Sequence, residues 1–248
     1  MSRVWVAIKR AWKLFAFACG CIVLSVCIFM IWRVCSMGAP KSIDTLSKND
    51  ALSDLYADQG ESFYMFKQNQ DIITRADYNA GYFSIPDYVF IPDANQLQLV
   101  FRYNNSTLKY LARDKGMSEV PNREGDYFDV SLVLYIDLTP ENTEDNERVD
   151  SPNVRKIRCK GSVVAKDKTA LYNFYRYTFD FSDCDCEEPI DIKELMAGDS
   201  LIAVHAQFYY NEELDYNDPP YGALLLYDPA EKNSTVKLTS DDVKALSE

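Results

Sequence analysis

Hydrophobic and polar positions follow three different patterns along this chain, and each predicts a different element. From Leu14 to Trp32 there is no alternation, because nineteen consecutive positions carry no charge. A helix over that run spans roughly 28 Å at about 1.5 Å per residue, close to the ~30 Å hydrocarbon core of a bilayer. Lys13 and Arg33 bracket the run, and Trp12 and Trp32 stand where interfacial aromatics anchor a spanning helix. Residues 34–60 read as a juxtamembrane stalk with one short helix, capped by Asn49-Asp50 and stopped at Gly60.

Beyond that point the period drops to two. Residues 96–103 put Leu97, Leu99, Phe101 and Tyr103 on one face, and residues 128–138 align Phe128, Val130, Leu132, Leu134, Ile136 and Leu138. Residues 171–181 group Tyr175, Tyr177, Phe179 and Phe181 against Arg176, Thr178 and Asp180. Residues 201–210 align Ile202, Val204, Ala206, Phe208 and Tyr210, and shorter strands are predicted at 82–91, 154–165, 221–227 and 235–238. Strict alternation predicts antiparallel sheets with one wet face each. A helix is expected over 107–115, stopped by Gly116, and residues 139–153 form a long acidic loop. The fold class is therefore mainly β, an N-terminal transmembrane helix followed by an antiparallel β-sandwich of about eight strands with one or two short helices. The expected segments are a basic tail (1–13), the membrane helix (14–33), the stalk (34–60), the sandwich (61–240) and a C-terminal tail (241–248).

Charge sharpens this picture. Residues 1–33 hold five basic residues and no acidic one, which leaves 21 basic and 38 acidic residues, net −17, in the remainder. A surface so acidic repels phosphate backbones, so nucleic acid is not an expected partner. Four basic residues precede the apolar run and only Arg33 closely follows it. The positive-inside bias puts the N-terminus in the cytoplasm, the bilayer around residues 14–33, and the rest outside a plasma membrane as a single-pass protein. Ser36-Met37-Gly38 would also suit cleavage of a signal peptide, and Leu24-Ser25-Val26-Cys27 resembles a lipid-attachment box with a poorly fitting Val26. All three alternatives export the same domain.

Seven cysteines include Cys159, Cys184 and Cys186 in the exported part. A bridge from Cys159 to Cys184 or Cys186 would close a loop of about 25 residues, and a buried thiol at Cys159 is the alternative. Asp180, Asp183, Asp185, Glu187 and Glu188 crowd one strand end and offer oxygens to Ca²⁺, without the spacing of an EF-hand. A solvated acidic loop is the plainer reading, and no other cofactor is implied. Seventeen tyrosines raise the question of exposed aromatics. Tyr172 and Phe174 alternate on the outward face of one strand, and Tyr209 points outward on another; such rings serve protein interfaces or stack on sugars. His205, alone in the chain, is expected at the surface, and no nucleophile elbow, zinc-protease motif or phosphate loop is present. No catalytic role is expected.

Three segments look familiar as a set: Arg102-Tyr-Asn-Asn-Ser-Thr-Leu108, Val130-Ser-Leu-Val-Leu134 with Asp137-Leu-Thr-Pro140, and Pro220-Tyr-Gly-Ala-Leu-Leu-Leu-Tyr-Asp228. With the anchor and the acidic middle loop, the chain resembles single-pass membrane-anchored proteins of Gram-positive, gut-type bacteria, a family without an assigned activity. The resemblance implies a bacterial plasma membrane and cysteines under little pressure to pair, and it carries no functional residues. The expected function is a membrane-tethered interaction module for a protein or envelope partner. The alternative is a carbohydrate-binding or carbohydrate-processing module, and a weaker one is a Ca-stabilised acidic β domain.

Overall fold

The computed structural model describes residues 3–67, 83–136, 155–184, 189–198, 200–227 and 234–247. Helix α1 (Arg3–Met37) is long and apolar enough to cross a membrane, and none of its apolar window is buried against the protein. Its end is not left to solvent. The Ser36 carbonyl accepts from the Thr169 hydroxyl at 2.7 Å and the Met37 carbonyl from Arg102 Nη1 at 2.8 Å. The domain thus satisfies two of the carbonyls that every helix C-terminus orphans, one of them with a cation that also suits the helix dipole.

Residues expected to form a stalk instead build a layer. Helix α2 (Lys41–Asp44) buries Ile43 against Val100 and Phe174. Helix α3 (Asp50–Gln59) is capped by Asn49, whose side chain accepts from the Leu52 amide at 2.9 Å, and ends at Gly60 with φ +61°. Its Leu52 and Leu55 pack with Leu46, Val89 and Ile91. Completely burying Ile43 and Leu52 stabilises by roughly 2 kcal/mol each, which favours docking over a freely swinging spacer.

The strands are β1 (Met65–Lys67), β2 (Ser84–Ile91), β3 (Gln96–Asn104), β4 (Phe128–Ile136), β5 (Arg155–Lys160), β6 (Ser162–Lys168), β7 (Tyr172–Asp180), β8 (Leu201–Phe208), β9 (Gly222–Tyr227) and β10 (Ser234–Val236). They form two antiparallel sheets, ordered β10-β1-β2-β3-β7-β6 and β5-β4-β8-β9. The period-two faces read from the sequence meet between the sheets: Leu97, Leu99, Phe101, Tyr177 and Phe179 face Val130, Leu132, Leu134, Ile202 and Val204. Rings join the layers, with Phe101 5.2 Å from Phe128 and Phe90 edge-on to Tyr227 at 5.9 Å. The Tyr88 hydroxyl donates across the gap to the Leu226 carbonyl at 2.6 Å.

Helix α4 (Asn105–Asp114) follows β3 directly, with Asn104 accepting from the Thr107 amide at 3.0 Å and Gly116 at φ +64° beyond its end. Helices α5 (Ile192–Ala197) and α6 (Ser240–Ser247) complete the chain. The expected C-terminal tail is therefore part of the fold: Leu246 is buried beside Leu52, and Asp242 accepts from the Leu46 amide at 2.8 Å. The acidic loop 139–153 lies outside the described residues.

The single strand expected over 154–165 is two strands in different sheets. β5 belongs to the smaller sheet and β6 to the larger, and the chain crosses between them at Gly161. A Cβ at Gly161 would sit 2.6 Å from the ring of Phe179, which is fully buried and has nowhere to move. Gly161→Ala is expected to destabilise the domain by about 2 kcal/mol, the usual cost of overpacking. A melting curve indistinguishable from wild type would contradict this account of the crossing.

Candidate functional site

The crossing at Gly161 opens the sandwich. β5 pairs with β4 only as far as Ser131 opposite Lys160, and beyond that the chain has left for the other sheet. The start of β4 loses its edge neighbour there, and interior tyrosines of β3 and β7 face a notch of about 180 Å³. Register places them. Phe101 pairs with Tyr175 and Leu99 with Tyr177, so the Tyr103, Tyr175 and Tyr177 rings line up along one face. Tyr103 and Tyr175 stack at 5.8 Å and 15°. Tyr127 and Asp129 come from the β4 side, Tyr209 from the residue after β8, and Lys166 from β6.

A hydrogen-bond chain holds the floor. Asn173 Nδ2 donates to the Tyr103 hydroxyl at 3.0 Å, the Tyr103 and Tyr175 hydroxyls lie 3.3 Å apart, and Tyr175 donates to Asp126 Oδ1 at 2.8 Å. Lys166 pairs with the other Asp126 oxygen, and its ammonium lies 5.5 Å from the Tyr175 ring centroid. Partial burial works against ionisation of Asp126, but Lys166 and Tyr175 outweigh it and hold the carboxyl below its ordinary range. Asp129 goes the other way. Burial raises its carboxyl against the pull of Lys160 and Arg158, and it makes no hydrogen bond or ion pair with the described residues. Burial also raises the phenols of Tyr103, Tyr127, Tyr175, Tyr177 and Tyr209, so all five stay protonated at neutral pH. The notch offers flat rings, neutral hydroxyls and two carboxylates, which is binding chemistry.

Of the aromatics nominated from sequence, Tyr209 reaches this notch. Tyr172 is half-buried at the start of β7, near the end of α1, under the Arg102 guanidinium, 4.7 Å from its ring, beside Trp32 and Arg33. Phe174 corrects the expectation: it is completely buried, because α2 covers the face it occupies. Asp180 caps a short turn by accepting from the Ser182 amide at 2.8 Å. Asp183 lies in that turn, while Asp185, Cys186, Glu187 and Glu188 fall outside the described residues. Among the described residues no three His, Cys, Asp or Glu side chains are grouped as metal ligands. Cys159 is buried, and its thiol and that of Cys184 are hydrogen-bonded neighbours. The Cys159 neighbour, burial and then Asp180 and Asp183 push the Cys184 thiol up, so it stays protonated at neutral pH.

His205 also departs from expectation. It is partly buried on the outer face of the smaller sheet, with Nε2 2.9 Å from the Tyr135 hydroxyl. Burial, then repulsion by Arg158 and Lys156, pushes its imidazole down to about 4. An unfolded histidine titrates near ~6.5 and so binds the proton first as pH falls. The stabilisation from the neutral ring is complete above pH ~6.5 and disappears as pH drops towards about 4. It is on the order of 2 kcal/mol once partial exposure is allowed for. His205→Gln is expected to flatten that part of the stability curve in urea titrations between pH 4 and 7. Parallel curves for variant and wild type would refute the assignment.

A larger cleft of about 540 Å³ lies between α2, α6 and the strands β1 and β2. Its charges serve the fold: Lys41 pairs with Asp241, Lys67 with Asp87, and Asp242 holds the Leu46 and Thr239 amides. Sequence reasoning missed Asp126, Asp129 and Lys166, and took Tyr175 and Tyr177 as plain core. The one available signal was Gly161, a glycine inside a strand pattern, which marks a bend or a close approach.

No known family matches this chain, and neither a curated protein nor a solved structure matches it significantly.

Proposed function

We propose that this protein is a single-pass, membrane-tethered interaction module, displayed on the outer face of a bacterial plasma membrane with its N-terminus in the cytoplasm. The observation that carries this reading is the seating of the domain on its own membrane helix. Thr169 and Arg102 take up the last carbonyls of α1, and α2 and α3 are packed on the sheet instead of forming a spacer. The sandwich is thereby held at a fixed attitude close to the headgroups, which suits presentation of one face to a partner. Removal of α1 at Ser36-Met37-Gly38 would forfeit these contacts, so the seating also favours a retained anchor. Arg3, Lys9, Arg10 and Lys13 ahead of the apolar run support the orientation.

The test is photo-crosslinking of the full-length protein in its native membrane, with the crosslinker placed in turn at Tyr209 and at exposed positions elsewhere on the domain. One reproducible protein or envelope component joined through any of them supports the reading. Recovery of uncrosslinked protein alone overturns it. A second reading, a carbohydrate-binding module, draws on the tyrosine and carboxylate lining of the notch. Specific binding of the full-length protein on a glycan array would favour it, and uniformly negative arrays would remove it.

A further inference from the structure

We propose that the notch beside Gly161 is a receptor for one protonated alkylammonium group, the side chain of a lysine on a partner protein. This rests on the interaction reading above and names the chemistry of its contact. The chain supplies its own precedent, since the Lys166 ammonium lies over the Tyr175 ring and against Asp126. That arrangement of ring face plus carboxylate is how proteins hold organic cations. Lys166 pairs with Asp126. The lining also holds Asp129, Tyr127, Tyr177 and Tyr209, and no cation of the described residues pairs with the Asp129 carboxylate. Lys160 and Arg158 act on Asp129 through space without bonding to it.

Charge and size agree with this occupant. Two carboxylates against one ammonium leave the lining negative, and the chain beyond residue 33 carries a net −17, a field that draws basic partners. A volume of about 180 Å³ accommodates a lysine stem and head but not an extended peptide. A sugar would use the same rings and could donate hydroxyls to the carboxylates, yet it brings no charge to a half-buried carboxylate that no cation of the described residues pairs with. An ammonium turns that carboxylate into a charge-assisted hydrogen bond.

The experiment uses the full-length protein in nanodiscs, titrated with N-acetyl-lysine methylamide and followed by tyrosine side-chain NMR. N-acetyl-norleucine methylamide, which keeps the stem and lacks the ammonium, and methyl β-glucoside are the comparison probes. The lysine derivative is expected to shift the Tyr127 and Tyr209 signals, and Asp129→Asn to weaken it about tenfold. Tyr209→Ala, at a rim position, and added salt are each expected to weaken it as well, which keeps the test intact if Asp129→Asn folds poorly. Equal binding of the norleucine derivative, preference for the glucoside, or no shift with any probe would each overturn the proposal. A partner crosslinked elsewhere on the domain, with no lysine binding in the notch, would sink this inference alone. Lysine binding without any partner in the membrane would sink the interaction reading alone.

Discussion

Replacing Arg176 with alanine is expected to lower the melting temperature by about 10 °C and to free residues 41–46 from the sheet. Arg176 is 1% exposed, on the outer face of β7, where alternation alone would place a solvated side chain. Its Nε donates to the Ile43 carbonyl at 2.7 Å, Nη2 to the Asp44 carbonyl at 3.0 Å and Nη1 to Gln98 Oε1 at 3.3 Å. Burial pulls the guanidinium down to about 10, against Asp242 and Asp44, so it remains charged at neutral pH. Truncation strands two backbone carbonyls, at about 1–3 kcal/mol each, and leaves a void where the side chain was. Gln98 suffers less, because its oxygen also accepts from the Ser47 amide. A total near 4 kcal/mol corresponds to roughly 10 °C in a domain of this size. Arg176→Lys should recover only part of the loss, because one ammonium cannot reproduce the fork that reaches two carbonyls and an amide. Hydrogen exchange localises the effect: faster exchange confined to 41–47 is the expected signature. A melting point within 2 °C of wild type would show that the layer is held without Arg176, by its apolar packing and the Gln98 and Asp242 hydrogen bonds.

Arg176 also shows why the inner half of the fold was legible and the outer half was not. Period two reports which side chains share a face, and the faces read at 96–103, at 171–181 and at 128–138 as far as residue 136 are the ones that meet in the core, Leu138 lying outside the described residues. It does not report what covers the opposite face. Gln96, Gln98 and Arg176 look like a wet surface, yet here they are docking points for the preceding segment. Gln98 brackets Ser47 through its amide and carbonyl, at 2.9 Å each, and Gln96 Oε1 accepts from Asn49 Nδ2 at 3.1 Å. The overlooked clue was apolar residues on that same face, Val100 and Phe174, which only a third layer explains. The notch was hidden for a related reason. Asp126 and Asp129 flank a strand start like many other acids, and what sets them apart is that β5 leaves its sheet at Gly161. Gly161 marks a bend, but no local pattern encodes the change of sheet, because that depends on where two edge strands find their partners.

The same crossing governs the second large effect, oxidation of the Cys159–Cys184 pair. Cys159 lies on β5 of the smaller sheet, while Cys184 follows β7 of the larger one. Their thiols are neighbours, and Cys159 also donates to the Asp180 carbonyl at 3.2 Å. A bond between them would staple the two sheets beside the turn that ends β7. Two thiols become one disulfide with loss of two protons and two electrons, which the N=N bond of an azo oxidant such as diamide accepts. Closing a loop of about 25 residues is expected to stabilise the domain by about 3.5 kcal/mol through the unfolded chain, or roughly 10 °C. The raised Cys184 pKa predicts slow reaction at neutral pH and faster reaction in alkaline buffer, since the thiolate is the attacking species. Mass spectrometry of peptides from diamide-treated full-length protein should find the 159–184 crosslink, and Cys159→Ser should lose both the crosslink and the thermal gain. A crosslink from Cys159 to Cys186, or an oxidised protein that melts where the reduced one does, would contradict the pairing. Either result would show that proximity of the two thiols does not lead to the staple, and the sheets would then be held by their shared aromatic core.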